Sequence, residues 1–292
     1  MIIKSIVFSA IVMSGCIGSS PIQQITPPAA KKASYLCVGM EMSGRFGACL
    51  GCKRDAEGLA SLMKGSFGYR GDVLISEQAT KKRVSELLVK GIESTPEDGI
   101  FLFFYSGHGG QEWLGGSEPE GSDMMDEYIC LYDSHMLDDE IWSIVSKCRG
   151  RVFLYFDACH SETLYRSVSS DLSVSKTRND SAIPLSVKES DMVKSSGFTF
   201  RPEKFMKAIA LDASIKSPRI LCWSGCRETE QSFGSRNGGF LTLAVLNNWS
   251  KGCGYGDLWE RSIKWVMKVK PEQNPVRTKI GGGFPDDMEA FR

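Results

Sequence analysis

Three scarcities frame this sequence. Neither sign of charge is in excess: Lys and Arg total 35, Asp and Glu total 35, and no block of five or more like charges occurs. That excludes a general nucleic-acid binder, whose phosphate contacts demand a basic surplus. Histidine is rare, with only His108, His135 and His160, so any imidazole chemistry must use one of these three. Long apolar runs are missing as well. The N-terminal stretch MIIKSIVFSAIVMSGC is too short for a comfortable bilayer span. Ten cysteines in 292 residues are too dilute for a disulfide-stapled miniprotein. No internal repeat is visible.

What is present is enough for a large core, with 42% hydrophobic and 24% charged residues. The short N-terminal run, with one lysine and small residues before Cys16, suits the apolar region of a signal peptide or an anchor over 1–16. Ser14-Gly15-Cys16 resembles a bacterial lipoprotein cleavage box, with Met13 where leucine is usual. The expectation is an exported or membrane-associated chain, with a cytoplasmic one as the alternative. Residues 17–33 hold three prolines among polar filler and read as a linker.

From residue 34 onward, short apolar runs alternate with helical patterns. YLCVGM (35–40), DVLI (72–75), IFLFFY (100–105), VFLYFD (152–157) and ILCWSG (220–225) are strand candidates. Their near-continuous hydrophobicity suits strands covered on both faces. Helices are expected at 54–64, 80–92, 138–148, 238–249 and 257–268. Val84, Leu87, Leu88 and Ile92 give the second its apolar stripe, and Asp138, Asp139 and Glu140 suit the dipole at the start of the third. This alternation predicts an α/β sandwich with a mostly parallel sheet, in which ligands bind beyond the carboxyl ends of the strands. Residues 161–205 break the pattern. They are polar and rich in serine, an insert of the kind that is functional, cleavable or disordered.

Two strand ends carry chemistry: SGHGG at 106–110 and DACHS at 157–161. Cys37, Cys130 and Cys222 lie inside apolar runs and read as buried thiols. Cys159 reads as a core thiol, a metal ligand or a nucleophile. A nucleophilic thiol needs a base nearby. Side chains of adjacent residues diverge, so His160 is a poor base for Cys159, and His108 serves if the two strands are neighbours. Gly107, Gly109 and Gly110 let backbone approach a substrate closely. An N–H from that segment, at Gly109, and the Cys159 N–H form a candidate oxyanion hole. The rival for the thiols is a zinc site from Cys49-x2-Cys52 and Cys222-x3-Cys226.

The motifs FYSGHGGQ, MDEYICLYD, MLDDEIWSIV and FLYFDACHSE, together with LGCKRDAEGLASLM, CWSGCRETEQSF, GGFLTLAVLNNW and QNP, occur in an order that resembles metacaspase-type members of the caspase-like cysteine peptidases. The resemblance spans about residues 35–280. It implies a caspase-like three-layer α/β/α sandwich over 34–292, with a large-subunit part at 34–160, the insert at 161–205 and a small-subunit part at 206–292. It implies His108 and Cys159 as the catalytic pair, and an acidic pocket for Arg or Lys at Asp55 and Asp157, beside Cys52 and Ser106. A true caspase needs basic residues to hold an Asp side chain, and no such arginine set stands at the equivalent positions.

Calcium is the modulator the resemblance implies, with no cofactor required for the chemistry. Asp126, Asp138 and Asp139 match three of its ligands, and Arg166 stands at the fourth position. Helix capping is the alternative role for Asp138 and Asp139. DACHSE departs from the family's DSCHSG at Ala158 and Glu162. Lys176, Arg178, Lys188 and Lys194 offer basic sites for self-processing in the insert. The expected partners are peptide or protein substrates with Arg or Lys at the cleavage site, met by a monomer that binds no nucleic acid. The alternative is a non-catalytic caspase-like binding module at the membrane or cell envelope.

Overall fold

The structure, a computed structural model, describes residues 33–43, 47–113, 125–160, 192–196, 218–227 and 230–292. The expectations for the signal or anchor, the linker, Cys16, Glu162, Arg166, Lys176, Arg178 and Lys188 lie outside them. Among the described residues no helix is long and apolar enough to cross a membrane.

Five expected strands form the centre of one sheet: β1 (Ala33–Gly39), β4 (Arg70–Ile75), β5 (Ile100–Trp113), β8 (Arg151–His160) and β10 (Arg219–Ser224). They pair in parallel in the order β10-β8-β5-β1-β4, and β13 (Val276–Ile280) closes the far edge antiparallel to β10. Parallel neighbours need crossovers, and the helices supply them. The five expected helices appear as α1 (Cys52–Phe67), α2 (Lys81–Ser94), α3 (Asp138–Val145), α4 (Phe240–Asn248) and α5 (Tyr255–Val269).

The strands read as continuously apolar because both faces are covered. On one face Tyr35, Cys37, Phe104, Phe153, Tyr155 and Trp223 pack against α1, α4 and α5. On the other, Leu36, Val38, Phe103, Tyr105, Leu154 and Phe156 pack against α2 and α3. Cys37, Cys130 and Cys222 are all buried thiols, as their apolar settings require. The first face centres on aromatic rings. Phe153 stacks on Tyr155 and meets Trp223 and Tyr255 edge-on, an arrangement that suits ring quadrupoles.

Three departures from the expected pattern matter. Strand β5 runs on to Trp113, so residues 107–110 are strand rather than a glycine loop. The cause is a change of partner. β1 stops at the Gly39–Ser106 pair, and β6 (Met125–Cys130) takes over antiparallel along 109–113. β7 (His135–Leu137) then pairs with β6. The insert is also not wholly without structure. Its residues Met192–Ser196 form β9, which pairs with β11 (Gln231–Ser235), and β11 pairs in turn with β12 (Gly238–Gly239). Lastly, a two-residue ribbon, β2 (Met42–Ser43) with β3 (Gly47–Ala48), follows β1.

Because Phe153 is fully buried and touches four aromatic rings, Phe153→Ala is expected to lower folding free energy by about 3–5 kcal/mol in a denaturant titration.

Candidate active site

Positions Ser106 and His108 of β5 are the Cα partners of Asp157 and Cys159 of β8. Side chains alternate along a strand, so these four positions share one face of the sheet. That face is the one α1 and α4 cover, since Asp55 of α1 accepts from Ser106 and Thr242 of α4 donates to Asp157. His160 pairs with Gly109 and falls, by the same alternation, on the opposite face from 159. His135 lies in β7 with its ring against Tyr128, at 4.7 Å between centroids. Of the three histidines, only His108 stands in register with the cysteine.

His108 is buried, and its Nε2 lies 3.3 Å from the Ala48 carbonyl oxygen. A carbonyl only accepts, so Nε2 carries the hydrogen and Nδ1 keeps the basic lone pair. Nδ1 is buried with no hydrogen-bond partner among the described residues. Burial lowers the His108 pKa from its ordinary value, with the Ala48 carbonyl opposing, and so favours the neutral ring that a general base needs. Ala48 closes the β2–β3 ribbon, which gives that ribbon a function: it fixes the tautomer. Gly109 now sits within strand β5 between His160 and Ile129, so an oxyanion donor there is a strand N–H rather than a loop N–H.

The acidic pair is built with more care than its sequence suggests. Asp55 and Asp157 are both buried. Asp55 Oδ2 accepts from Ser106 Oγ at 2.7 Å and from the Gly239 N–H at 2.9 Å. Asp157 Oδ2 accepts from the Thr242 N–H at 2.8 Å and Thr242 Oγ1 at 2.7 Å, and its Oδ1 from Ser232 Oγ at 3.2 Å. These donors include N–H groups at the start of α4, whose dipole also favours an anion. Glycine is required at 238 and 239. A Cβ there would run into Asp55 Oδ1 and Asp157 Oδ2 respectively, and Gly238 has φ 138°.

The two acids are not equivalent. Burial raises both carboxyls above the usual range, and the Asp157 charge raises Asp55 further. Asp157 has three donors, whereas Asp55 Oδ1 is buried and bare. A shared proton therefore resides on Asp55, leaving Asp157 ionised. Cys52, the first residue of α1, borders this pair, and burial likewise pushes its thiol up.

Several residues that build the site lay within the ordered motifs with no role assigned to them. Gln273 is wholly buried: its Nε2 donates to the Gly225 carbonyl at 2.8 Å and to Ser232 Oγ at 3.1 Å, and its Oε1 accepts from the Phe233 N–H at 3.0 Å. It holds Ser232 where Ser232 can reach Asp157. Thr242 left one clue, a single hydroxyl in the apolar run FLTLAVL.

A second acidic cluster lies apart. Asp126 and Glu127 of β6 and Asp138 of α3 are buried with ligand oxygens within 4.8 Å of one another. Asp139, expected in this set, is exposed, and Glu127 takes its place. Three clustered carboxylates are the oxygen donors that calcium prefers. The four-thiol zinc alternative does not assemble, because this acidic trio is the only such cluster among the described residues. Cys226 instead hydrogen-bonds the Glu230 carbonyl.

The buried acid pair should cost stability where it is ionised. Asp55 binds its proton more tightly folded than unfolded, so stability falls as pH rises through that window. Asp55→Asn is therefore expected to raise thermal stability above neutral pH, on the order of 1 kcal/mol, with the gain vanishing at low pH where Asp55 is already neutral. Melting curves across pH measure it.

Comparison with known proteins agrees with this fold. A family model described as the caspase domain matches residues 36–278. Metacaspase-1 of Botryotinia fuckeliana is 35% identical over 152 residues, which cover 45% of this chain and 35% of that protein. Metacaspase-1 of Pyricularia oryzae is 29% identical over 237 residues, 69% of this chain and 58% of that protein. The chain thus spans less than two thirds of the length of these relatives. Protein GSU0716 from Geobacter sulfurreducens shares the fold at TM-score 0.63 and 22% identity, covering 88% of this chain and 96% of that one. Caspase-1 from Spodoptera frugiperda shares it at TM-score 0.52 and 12% identity, covering 85% and 86%. The chain belongs to the caspase-domain family of cysteine peptidases, and its sequence relatives there are metacaspases.

Proposed function

We propose that this chain is a cysteine endopeptidase that cleaves after Arg or Lys. The observation that carries the reading is the register of β5 on β8, which pairs position 108 with 159 and, two residues earlier, Ser106 with the acid Asp157. Catalytic and recognition groups thereby share one rim of the sheet.

In this mechanism His108 Nδ1 takes the Cys159 thiol proton, and the thiolate attacks the scissile carbonyl. Backbone N–H groups at Gly109 and Cys159 hold the oxyanion, worth about 3 kcal/mol per donor in such sites. The imidazolium then protonates the leaving amine, and water hydrolyses the acyl-enzyme. A substrate guanidinium or ammonium enters against Asp55 Oδ1, the bare oxygen of the pair. Its charge displaces the proton on Asp55, so both carboxylates bind it in ionised form. A cation-free pocket of two acids rejects an Asp side chain by the same charge.

Calcium, held by Asp126, Glu127 and Asp138, would offset most of that trio's charge and tie β6 to α3. Export or membrane association through the N-terminal segment, and cleavage within 161–205, belong to the same proposal.

Purified protein should hydrolyse Arg- and Lys-ended reporter peptides and leave Asp-ended ones intact. Cys159→Ala should abolish turnover, and Asp157→Asn should lower kcat/KM for Arg reporters by about a hundredfold or more, given charge-assisted bonds of roughly 1.5–3 kcal/mol each. A chain that binds Arg peptides but cuts none, with or without calcium, is a binding module and not a peptidase. Separately, millimolar calcium should raise the melting temperature of the parent chain and leave that of Asp138→Asn unchanged; differential scanning calorimetry distinguishes the two.

A further inference from the structure

One cysteine pair takes no part in the proposed chemistry. Cys49 ends the β2–β3 ribbon, and Cys52 opens α1. The Cys52 thiol donates to Cys49 Sγ at 2.9 Å. The turn between them is closed by a Cys52 N–H to Cys49 carbonyl contact of 3.5 Å, and by Gly51 at φ 98°, a left-handed conformation that glycine accepts without strain. A disulfide bond is about 2.05 Å long, so a sulfur shift of roughly 0.9 Å closes it. A Cys-x-x-Cys pair at a helix N-terminus is also the spacing of redox-active dithiols.

We propose that Cys49 and Cys52 form a redox site, a dithiol that a low-molecular-weight disulfide converts to an internal disulfide, and that this linkage closes down the pocket beside it. The coupling part rests on the function proposed above; the linkage itself does not.

The exchange balances without another reactant. The Cys49 thiolate attacks one sulfur of RSSR, forming a mixed disulfide and expelling RS⁻. The Cys52 thiolate then attacks the Cys49 sulfur, forming the internal bond and expelling the second RS⁻. The cysteines give up two protons and two electrons, and the oxidant leaves as two RSH.

Access comes through the ribbon. Cys49 is buried, yet both of its chain neighbours, Ala48 and Leu50, are exposed. The ribbon pairs over only two residues, with a further Cys49 N–H to Glu41 carbonyl bond, and opens at lower cost than the main sheet. Cys49 lies between two exposed residues whereas Cys52 opens α1, which makes Cys49 the first to meet the oxidant and Cys52 the resolving thiol.

Two contacts connect the linkage to the site. Ala48, the residue before Cys49, supplies the carbonyl that fixes His108. Ser106 donates to Asp55, the acid that the Cys52 thiol borders. Drawing Cys49 and Cys52 together displaces the segment that carries the Ala48 carbonyl and the helix start that borders Asp55.

The test uses the Cys159→Ala chain, so that oxidation of the nucleophile cannot contribute. The protein is equilibrated in buffers of graded reduced-to-oxidised glutathione ratio, alkylated, digested with trypsin and weighed. The peptide FGACLGCK, residues 46–53, should shift to an alkylation-resistant form two hydrogens lighter than the free dithiol, and Cys49→Ser should abolish that form. Alkylation of both cysteines at every ratio, or glutathione adducts alone, would overturn the site. Fluorescence anisotropy with an Arg-ended peptide then reads the coupling: the disulfide form should bind about tenfold more weakly, equivalent to about 1.4 kcal/mol, and dithiothreitol should restore affinity. Equal affinity in both forms overturns the coupling. If neither form binds the peptide while the linkage forms, the specificity proposal has failed and the redox site stands.

Discussion

The in-register parallel pairing of β5 and β8 is the constraint on which the rest depends. It runs unbroken from Ile100–Arg151 to Gly109–His160. Because side chains alternate, a slip of one residue would send His108 or the 159 position to the α2–α3 face and dissolve the site. Bulky ring contacts between the strands oppose such a slip: Phe104 meets Tyr155 edge-on at 5.0 Å on one face, and Phe103 meets Phe156 at 5.8 Å on the other. β6 then supports β5 past the end of β1, so the strand does not fray where His108 sits. The rigidity of the catalytic register is thus a by-product of core packing.

The acid pair links the two halves of the chain. Asp55 belongs to α1 and Asp157 to β8, while most of their donors, Ser232, Gly239 and Thr242, come from after residue 230. Burying two carboxylates side by side is expensive in a low-dielectric interior, and the donors offset only part of that cost. The remaining tension is concentrated at the single bare oxygen of Asp55. In the proposed reading, the charge of a cationic substrate relieves what folding left unbalanced.

Gln273 illustrates how much of a functional site can be second-hand. It touches neither acid, yet it sets Ser232 and ties the end of β10 to β11 through Gly225 and Phe233. A buried amide that satisfies three partners rigidifies its surroundings, because any displacement leaves several polar groups without bonds. The β2–β3 ribbon does comparable work on the other side, where one carbonyl at Ala48 selects the tautomer of His108.

Much of this was legible in the chain itself. Continuous apolar runs such as IFLFFY and VFLYFD dictate doubly covered parallel strands, the period of Val84, Leu87, Leu88 and Ile92 dictates a helix, and the ordered motifs carry the family. These signals are local, or lie in an order that needs no coordinates. The extension of β5 was not legible, because its partner β6 is a short mixed sequence whose pairing is decided by where β1 ends. Nor was the place of Glu127 beside Asp126 and Asp138, which the pairing of β6 decides. The sequence by itself determined the layers and the family, and it pointed to the histidine and cysteine on which the proposed mechanism rests. Tertiary structure alone decided which nitrogen of His108 is basic, which acid holds the proton and which residues feed the pocket. Those outcomes depend on hydrogen bonds between groups far apart in the chain, and no local pattern encodes them.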